Sequence, residues 1–301
     1  LIMAYSVQFP IRVGVFTFSS VGCYAIGGYT TAVLTAAYDW PQYPAVAVGM
    51  IIAAVVSVAL GLVLQNLDGL YLAMATIAFD LILVVVATNW QSVTGGATGM
   101  YGVLGEVSMP ELIGIAVVIT VLLAISERGR MGRRITAVGA DPELAWSVGV
   151  SVRNYRYSAF VVSGLLGALA GGLNTLIRTT ISPVDVGFPL VVTALTMIIV
   201  GGARSWLGAF IGAIVFTWLP SLLQVISTWQ AVIYGVIVAL AAVWLPGGIV
   251  GTVTTFYRKR TRATAPDAEG PTEAEVRPVD SIVELGVDGD VAPTMAPDPA
   301  T

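Results

Sequence analysis

Long apolar stretches recur along almost the whole chain, and they constrain its fold more than any other feature. A helix that crosses a bilayer needs about 20 mostly apolar residues, because unpaired backbone groups are not tolerated in hydrocarbon. Seven or eight stretches qualify, near residues 13–37, 43–64, 69–87, 111–126, 157–178, 188–203, 206–225 and 229–246. The sequence therefore predicts an all-α integral membrane protein with about eight transmembrane helices.

The two ends of the chain depart from this pattern. Leu1 to Phe9 are apolar but too few to span, and we interpret them as a partial N-terminal helix at a truncated start. After Pro246, a basic run from Arg258 to Arg262 precedes an acidic tail that cannot bury enough apolar surface to fold. We expect a transmembrane domain over residues 1–250, and a basic anchor with a disordered tail over residues 251–301.

Composition argues against an enzyme. The chain is 56% hydrophobic and 11% charged, whereas a soluble domain is about one quarter charged. It has no histidine and a single cysteine, Cys23, so the commonest general base, metal ligand and disulfide are missing. A Gly-rich phosphate-binding loop is also missing. We therefore predict no catalytic residue, no metal and no cofactor.

Basic residues predict the orientation in the membrane, because Lys and Arg accumulate in cytoplasmic loops. When the spans alternate from Arg12, almost all basic residues fall on one side, including the group from Arg128 to Arg156 and the run from Arg258 to Arg262. Arg178 is the exception. We expect that side, and the C-terminus, to be cytoplasmic. The basic run is predicted to meet anionic lipid, and a nucleic-acid partner is not expected.

Two features inside the apolar stretches indicate specific roles. Asp80 lies in mid-span, where a carboxylate must face protein or water, and Gly69, Ala73 and Thr76 share its helical face. This polar stripe predicts either a lining of the solute path or a hydrogen bond to a neighbouring helix. Small residues at helical spacing predict close helix packing, and the candidates are Gly164, Gly171, Gly201, Gly202, Gly208 and Gly212.

The Gly-rich segment from Thr88 to Gly102 follows the Asp80 helix on the predicted outer side. Its glycines disfavour a regular helix. It is either a loop that presents polar groups to a solute or an ordinary surface loop with interfacial aromatic residues. The path candidates are Thr76, Asp80, Asn89, Thr94, Gly95 and Gly96.

A short helix is predicted between two spans on the cytoplasmic side. Asp141 can cap it, Pro142 suits its first position, Glu143 suits the positive end of the helix dipole, and Gly149 can end it. By itself this pattern also fits a connector that lies on the membrane surface.

The residues of this helix resemble a known signature. Glu143-Leu-Ala-Trp-Ser-Val-Gly149 is similar to the Glu-Ala-Ala-x-x-x-Gly signature of ABC importer permeases, and the continuation to Arg156 resembles branched-chain amino acid permeases of the LivM/LivH type. Segments of the same family are matched, in order and with similar spacing, over roughly residues 20–245. They are Gly69-Leu-Tyr, Ala75 to Phe79, Asn89 to Gly96, Ser182-Pro183, Val200 to Ala213 and Leu219-Pro220.

The chain departs from the family pattern at several positions. Thr17 to Ser20 replace the usual Ser-x-Gly-His region, while Leu81 and Val84 stand where acidic and basic residues are common. Arg204 stands where the family commonly has Gly. These departures leave the substrate open.

The resemblance implies a permease subunit in a bacterial inner or plasma membrane. It would work with a second permease subunit, two ABC ATPase subunits and an extracytoplasmic solute-binding protein. The short helix would couple it to an ATPase through Asp141, Pro142, Glu143, Ala145 and Gly149. Branched-chain or related amino acids are the expected solutes. The alternatives are urea or short amides, and an ion-coupled secondary transporter that uses Asp80; a membrane scaffold would leave the polar stripe without a purpose.

Overall fold

The computed structural model describes residues 1–223, apart from 104, 106 and 204, together with Gly235, Gly248, Val250 and Gly251. All of these residues belong to one unit, Leu1–Thr255. The predicted span at 229–246, the basic run from Arg258, the tail and Arg204 lie outside the described residues.

The described chain is almost entirely helical. The helices are α1 (Ile2–Arg12), α2 (Ser19–Tyr38), α3 (Gln42–Leu64), α4 (Gly69–Asn89), α5 (Gln91–Thr94), α6 (Met109–Ser126), α7 (Gly129–Ala140), α8 (Pro142–Ser147), α9 (Val152–Arg178), α10 (Phe188–Gly201) and α11 (Trp206–Leu223). Two short strands, β1 (Met100–Tyr101) and β2 (Thr180–Ile181), pair antiparallel, and 3₁₀ turns cover Gly96–Thr98 and Pro183–Val186.

Within the described part of the chain, five helical segments are long and apolar enough to cross a membrane. They are Gln42–Leu64, Gly69–Asn89, Met109–Ser126, Val152–Arg178 and Pro183–Gly201. This confirms the prediction of a helical membrane protein. α2 has a similar length, 20 residues, but it carries more Ser, Thr, Tyr and Gly, and most of its residues are buried. It is a central helix that packs against α9, α3 and α4.

Several predicted boundaries were wrong. The stretch from residue 13 is not helical until Ser19, because Gly14 turns the chain at φ +83° and the Thr17 hydroxyl accepts a hydrogen bond from the Ser19 backbone. α9 begins at Val152 rather than 157, so Arg153 and Arg156 are helical residues. The start of α6, in contrast, lies within two residues of the prediction, at Met109, where Ser108 and Glu111 form a capping box.

The apolar N-terminal piece forms α1, which is buried along most of its length. It packs against α9, α10 and α11. Several of its buried residues belong to the core cluster that also contains Ala159 and Phe160 of α9 and Ala209 of α11, whereas Val7 belongs to a separate cluster. α1 therefore helps to hold the bundle together at the centre of the described structure.

Candidate functional site

Two short helices, α7 and α8, connect the end of α6 to the start of α9. α7 buries Gly132, Ile135 and Val138, which are three residues apart, and its arginines remain exposed. This spacing places one face of the helix against the bundle. α8 follows after one residue, so the packing of α7 fixes the position at which α8 begins.

The N-terminus of α8 is capped by a side chain. The Asp141 carboxylate accepts hydrogen bonds from the backbone N–H groups of Glu143 and Leu144, each at 3.0 Å. Pro142 occupies the first turn, where its missing N–H leaves no unpaired donor. These contacts provide hydrogen-bond partners for backbone N–H groups that have none within the helix itself.

The C-terminus of α8 ends in a Schellman motif. The Val150 backbone N–H donates to the Ala145 carbonyl at 3.0 Å, and the Gly149 N–H donates to the Trp146 carbonyl at 2.9 Å. Gly149 lies at φ +81°, a conformation that glycine adopts without a steric cost. The chain then enters α9 within three residues, so α8 and α9 are closely connected.

The exposed surface of α8 and of Val148, which follows it, includes three large apolar side chains beside the polar Glu143 and Ser147. Ala145 is 2% exposed and packs against the bundle, whereas Leu144, Trp146 and Val148 are 64%, 74% and 70% exposed. Large apolar side chains exposed on a short connecting helix are typical of a protein or membrane contact. We call Leu144, Trp146 and Val148 the α8 patch.

The Glu127 carboxylate fixes the chain just before α7 to two other helices. Glu127, at the end of α6, forms a 3.0 Å salt bridge with Arg12 of α1, and its carboxylate also accepts a 2.7 Å hydrogen bond from the Trp206 backbone at the start of α11. Burial raises the pKa of the Glu127 carboxyl above its usual value, while Arg12 and the Trp206 N–H act in the opposite direction. Gly139 of α7 lies directly against the Arg12 carbonyl, where any Cβ would collide. One carboxylate thus joins three helices beside the connection to α8.

The Asp80 side chain meets the N-terminus of α2. Its Oδ1 accepts a 2.8 Å hydrogen bond from the Gly22 backbone, and the Thr76 hydroxyl accepts a 3.1 Å bond from the Phe18 backbone. Both α4 side chains are buried. Asp80 Oδ2 is buried without a hydrogen-bond partner. Of the two sequence hypotheses for the polar stripe, this geometry matches the hydrogen bond to a neighbouring helix. Gly69, in contrast, is exposed.

The remaining path candidates lie together at the other end of α4. Asn89 is exposed and donates to the Val85 carbonyl, while the buried Thr94 hydroxyl contacts the carbonyls of Ala87 and Trp90. Gly95 and Gly96 both have positive φ angles. The structure therefore separates the six candidates into a buried pair and a group at the end of the helix.

The segment after α5 is ordered by pairing with the α9–α10 connection. β1 pairs with β2. Gly99 lies so close to the Ile181 carbonyl that a Cβ would collide with it, and its φ of +76° also favours glycine. The segment is a folded cap over this end of the helices.

The candidate packing glycines lie at close helix contacts. A Cβ on Gly171 of α9 would collide with the Tyr24 carbonyl of α2, and one on Gly164 would collide with Ser57 of α3. Between α10 and α11, the backbones approach through Gly201, Gly202, Gly208 and Gly212. These contacts allow the backbones to pack closely, as small residues do in membranes.

Some of these features were not predicted from the sequence. α7, the Arg12–Glu127 contact and the α8 patch were all missed. The spacing of Gly132, Ile135 and Val138 could have revealed α7, because the intervening arginines make it amphipathic. Among the described residues, no group of three His, Cys, Asp or Glu side chains could hold a metal ion.

Comparison with known proteins identifies related sequences. The profile of the family described as "Branched-chain amino acid transport system / permease component" matches residues 1–243. The high-affinity branched-chain amino acid transport system permease protein LivM of Escherichia coli (strain K12) is 24% identical over 263 residues, which cover 76% of this chain and 62% of LivM. The chain thus spans less than two thirds of the length of that relative.

Two further relatives are informative. The probable branched-chain amino acid transport permease protein LivH of Methanocaldococcus jannaschii is 26% identical over 211 residues, which cover 64% of this chain and 66% of LivH. The xylose transport system permease protein XylH of Escherichia coli (strain K12) is 30% identical over a shorter stretch, covering 40% of this chain and 33% of XylH. No solved structure matches the chain.

Proposed function

Because this chain belongs to the family of branched-chain amino acid transport permease components, we propose that it is the membrane subunit of an ATP-driven importer for branched-chain or related amino acids. It supplies the path across the membrane, and separate ATPase subunits supply the energy. A second permease subunit completes the pore, and an extracytoplasmic binding protein delivers the solute. The count of two ATPases follows from the two permeases, each of which offers one α8.

The single observation that carries this proposal is the geometry of α8. The helix is capped at both ends, and its large apolar side chains point away from the bundle. The buried Ala145 seats it on the permease, while the α8 patch is free to enter a groove on another protein. An exposed Trp is a typical centre of a protein interface, because it buries a large apolar area with few rotatable bonds.

The connections of α8 suggest how ATP binding acts on the spans. When the ATPases close, α8 moves with them, and the bond between Val150 and Ala145 passes that movement to α9. α7 passes it to α1 and α11 through Gly139 and the Arg12–Glu127 contact. A rigid connection of this kind can bias the helices between inward-open and outward-open arrangements.

The proposed solute class rests on relatives and the proposed path on the geometry of α4. The LivM and LivH relatives are named for branched-chain amino acids and cover more of this chain than XylH does. At the end of α4, Asn89 and Gly95 are exposed and remain candidates for the solute entrance. For Thr76 and Asp80, the bonds to the backbone of α2 favour a structural role. No described feature favours urea or short amides.

We place the protein in a bacterial inner or plasma membrane, with about eight transmembrane helices and a partial N-terminal one. The arginines of α7 and of the start of α9 would then face the cytoplasm, and the C-terminus would lie on the same side. This orientation directs the α8 patch toward cytoplasmic ATPases.

The test is solute uptake into proteoliposomes that contain the full assembly with its ATPases and binding protein. Uptake should require ATP, and Trp146→Ala should abolish most of it while the permease stays folded. Truncation of a Trp at the centre of an interface costs about 2–4 kcal/mol of binding free energy, so this substitution should weaken ATPase binding about 30- to 900-fold. Tyr101→Ala is the matched control, because Tyr101 is an exposed aromatic residue, 67% exposed, in the cap formed by β1.

Two results would contradict the proposal. If the permease alone moved solute down an ion gradient, it would be a secondary transporter. If Trp146→Ala bound its ATPases as tightly as the wild type, α8 would be a connector that lies on the membrane surface.

A further inference from the structure

Two cavities lie along the outside of α3 and α9, and together we call them the α3–α9 crevice. The cavity at the start of α9 is polar and basic and has a volume of about 330 Å³. Gln65 and Asn66 line it from the end of α3, and Arg153, Arg156 and Tyr157 line it from the start of α9. Two arginines and two amides in one cavity form a set of donors suited to a phosphate group.

The charges of the two arginines are only partly neutralised at this cavity. Arg156 Nη1 contacts Asp68 Oδ1 at 2.6 Å, but its Nε is buried and has no hydrogen-bond partner. Arg153 has no carboxylate partner within the described ranges. Because Asp68 is exposed and offsets only one charge, the cavity keeps a net positive charge and a buried donor that lacks an acceptor.

Toward the start of α3, the lining is entirely apolar. A second cavity of about 500 Å³ lies against α3 from Ala47 to Val58 and against Leu165 of α9. The two helices run antiparallel here, because Gly61 faces Tyr157 whereas Ser57 faces Gly164. The apolar cavity therefore lies deeper in the membrane than the basic one.

The length of the crevice matches an acyl chain. From Val58 back to Ala47, the part of α3 that lines the apolar cavity, the helix rises about 17 Å, at about 1.5 Å per residue. A basic pocket at the end of two membrane helices, continued by an apolar groove of this length, has the shape and polarity of a phospholipid. A free phosphate would use only the first of the two cavities.

We propose that the α3–α9 crevice binds one anionic phospholipid, with its phosphate at Arg153 and Arg156 and an acyl chain along α3. The site depends only on α3 and α9, both of which can span the membrane. It therefore stands independently of the transport function proposed above.

The experiment titrates the purified full chain with phosphatidylglycerol or phosphatidylcholine and counts bound lipids by native mass spectrometry. The wild type should retain one phosphatidylglycerol far more tightly than phosphatidylcholine. Loss of one basic residue near the headgroup weakens lipid binding about fivefold. The double variant Arg153→Gln with Arg156→Gln should therefore bind phosphatidylglycerol about 25-fold more weakly. Ala54→Trp, which fills the apolar groove, should also reduce binding.

A matched control separates the site from overall charge. Arg130→Gln with Arg133→Gln removes the same charge from exposed positions on α7 and should leave the tight phosphatidylglycerol in place. Asp68→Asn should strengthen binding, because it frees Arg156. Thermal unfolding in detergent identifies any variant that has lost its fold.

Three outcomes would overturn the proposal. Equal loss in the α7 control would mean that only overall charge matters. Unchanged binding in both the arginine and the Ala54→Trp variants would place the lipid elsewhere. A disulfide between two chains that carry Ala54→Cys would assign this face to a second permease.

Discussion

Substitution of Asp80 separates a structural role from an ion-coupling role. Asp80 is 3% exposed, and its Oδ1 accepts a 2.8 Å hydrogen bond from the Gly22 backbone at the start of α2. Asp80→Leu removes that acceptor, whereas Asp80→Asn keeps an oxygen that can accept the same bond. Both variants remove an ionisable group whose insertion costs about 2.5–3.5 kcal/mol, so this cost cancels when the two are compared.

The difference between the variants therefore measures the hydrogen bond. A buried N–H without a partner costs about 1–3 kcal/mol. For a protein of this size, this difference lowers the melting temperature of the Leu variant below that of the Asn variant by about 2–12 °C. The assay is thermal unfolding in detergent, followed by ATP-driven uptake in the full assembly, in which Asp80→Asn should remain active. Equal melting temperatures would refute the structural role, and a stable but inactive Asn variant would indicate that the ionisable group takes part in transport.

Three further pairs of substitutions test the helix packing, the turn after α8 and the Arg12–Glu127 contact. Gly171→Ala should destabilise the protein by about 1–3 kcal/mol because its Cβ would meet a backbone carbonyl of α2, whereas Gly114→Ala on α6 has open space and should be neutral or stabilising. Equal melting temperatures for the two variants would contradict the close contact. Gly149→Val should uncouple ATP hydrolysis from uptake because φ +81° is strained for a branched residue, and Gly149→Asn should have a smaller effect on this coupling. Normal coupling in both variants would show that the turn is dispensable. Arg12→Gln should lower the uptake obtained per ATP hydrolysed. Glu127→Gln should lower it less, because the amide oxygen of the new side chain still accepts a hydrogen bond from the α11 backbone. An unchanged ratio of uptake to ATP hydrolysis in both variants would restrict the contact to a local role.

The spans were largely predictable from the sequence because their apolar composition is local information. α3 and α4 begin and end within two residues of the predicted stretches. The start of α2 was not predictable, because it depends on Gly14 and on the contact of Thr76 with Phe18, which are 58 residues apart. Long-range contacts of this kind leave no periodic signal in the sequence.

The short helix α8 shows both what the sequence contains and what it lacks. Asp141, Pro142 and Gly149 act on the backbone within a few residues, so their spacing predicted a helix with the observed cap and the observed end. The sequence did not indicate that Ala145 would be buried while Trp146 is exposed. That distinction depends on the position of α7 against the bundle, which is set by contacts between residues far apart in the sequence, such as Gly139 and Arg12.

The central claim is that α8 binds an ATPase subunit, and site-specific photo-crosslinking tests it most directly. A photoreactive amino acid in place of Trp146, in the assembled transporter, should capture an ATPase subunit, and the same group in place of Tyr101 should not. Capture of lipid alone at position 146, with the ATPases bound and active, would contradict the account.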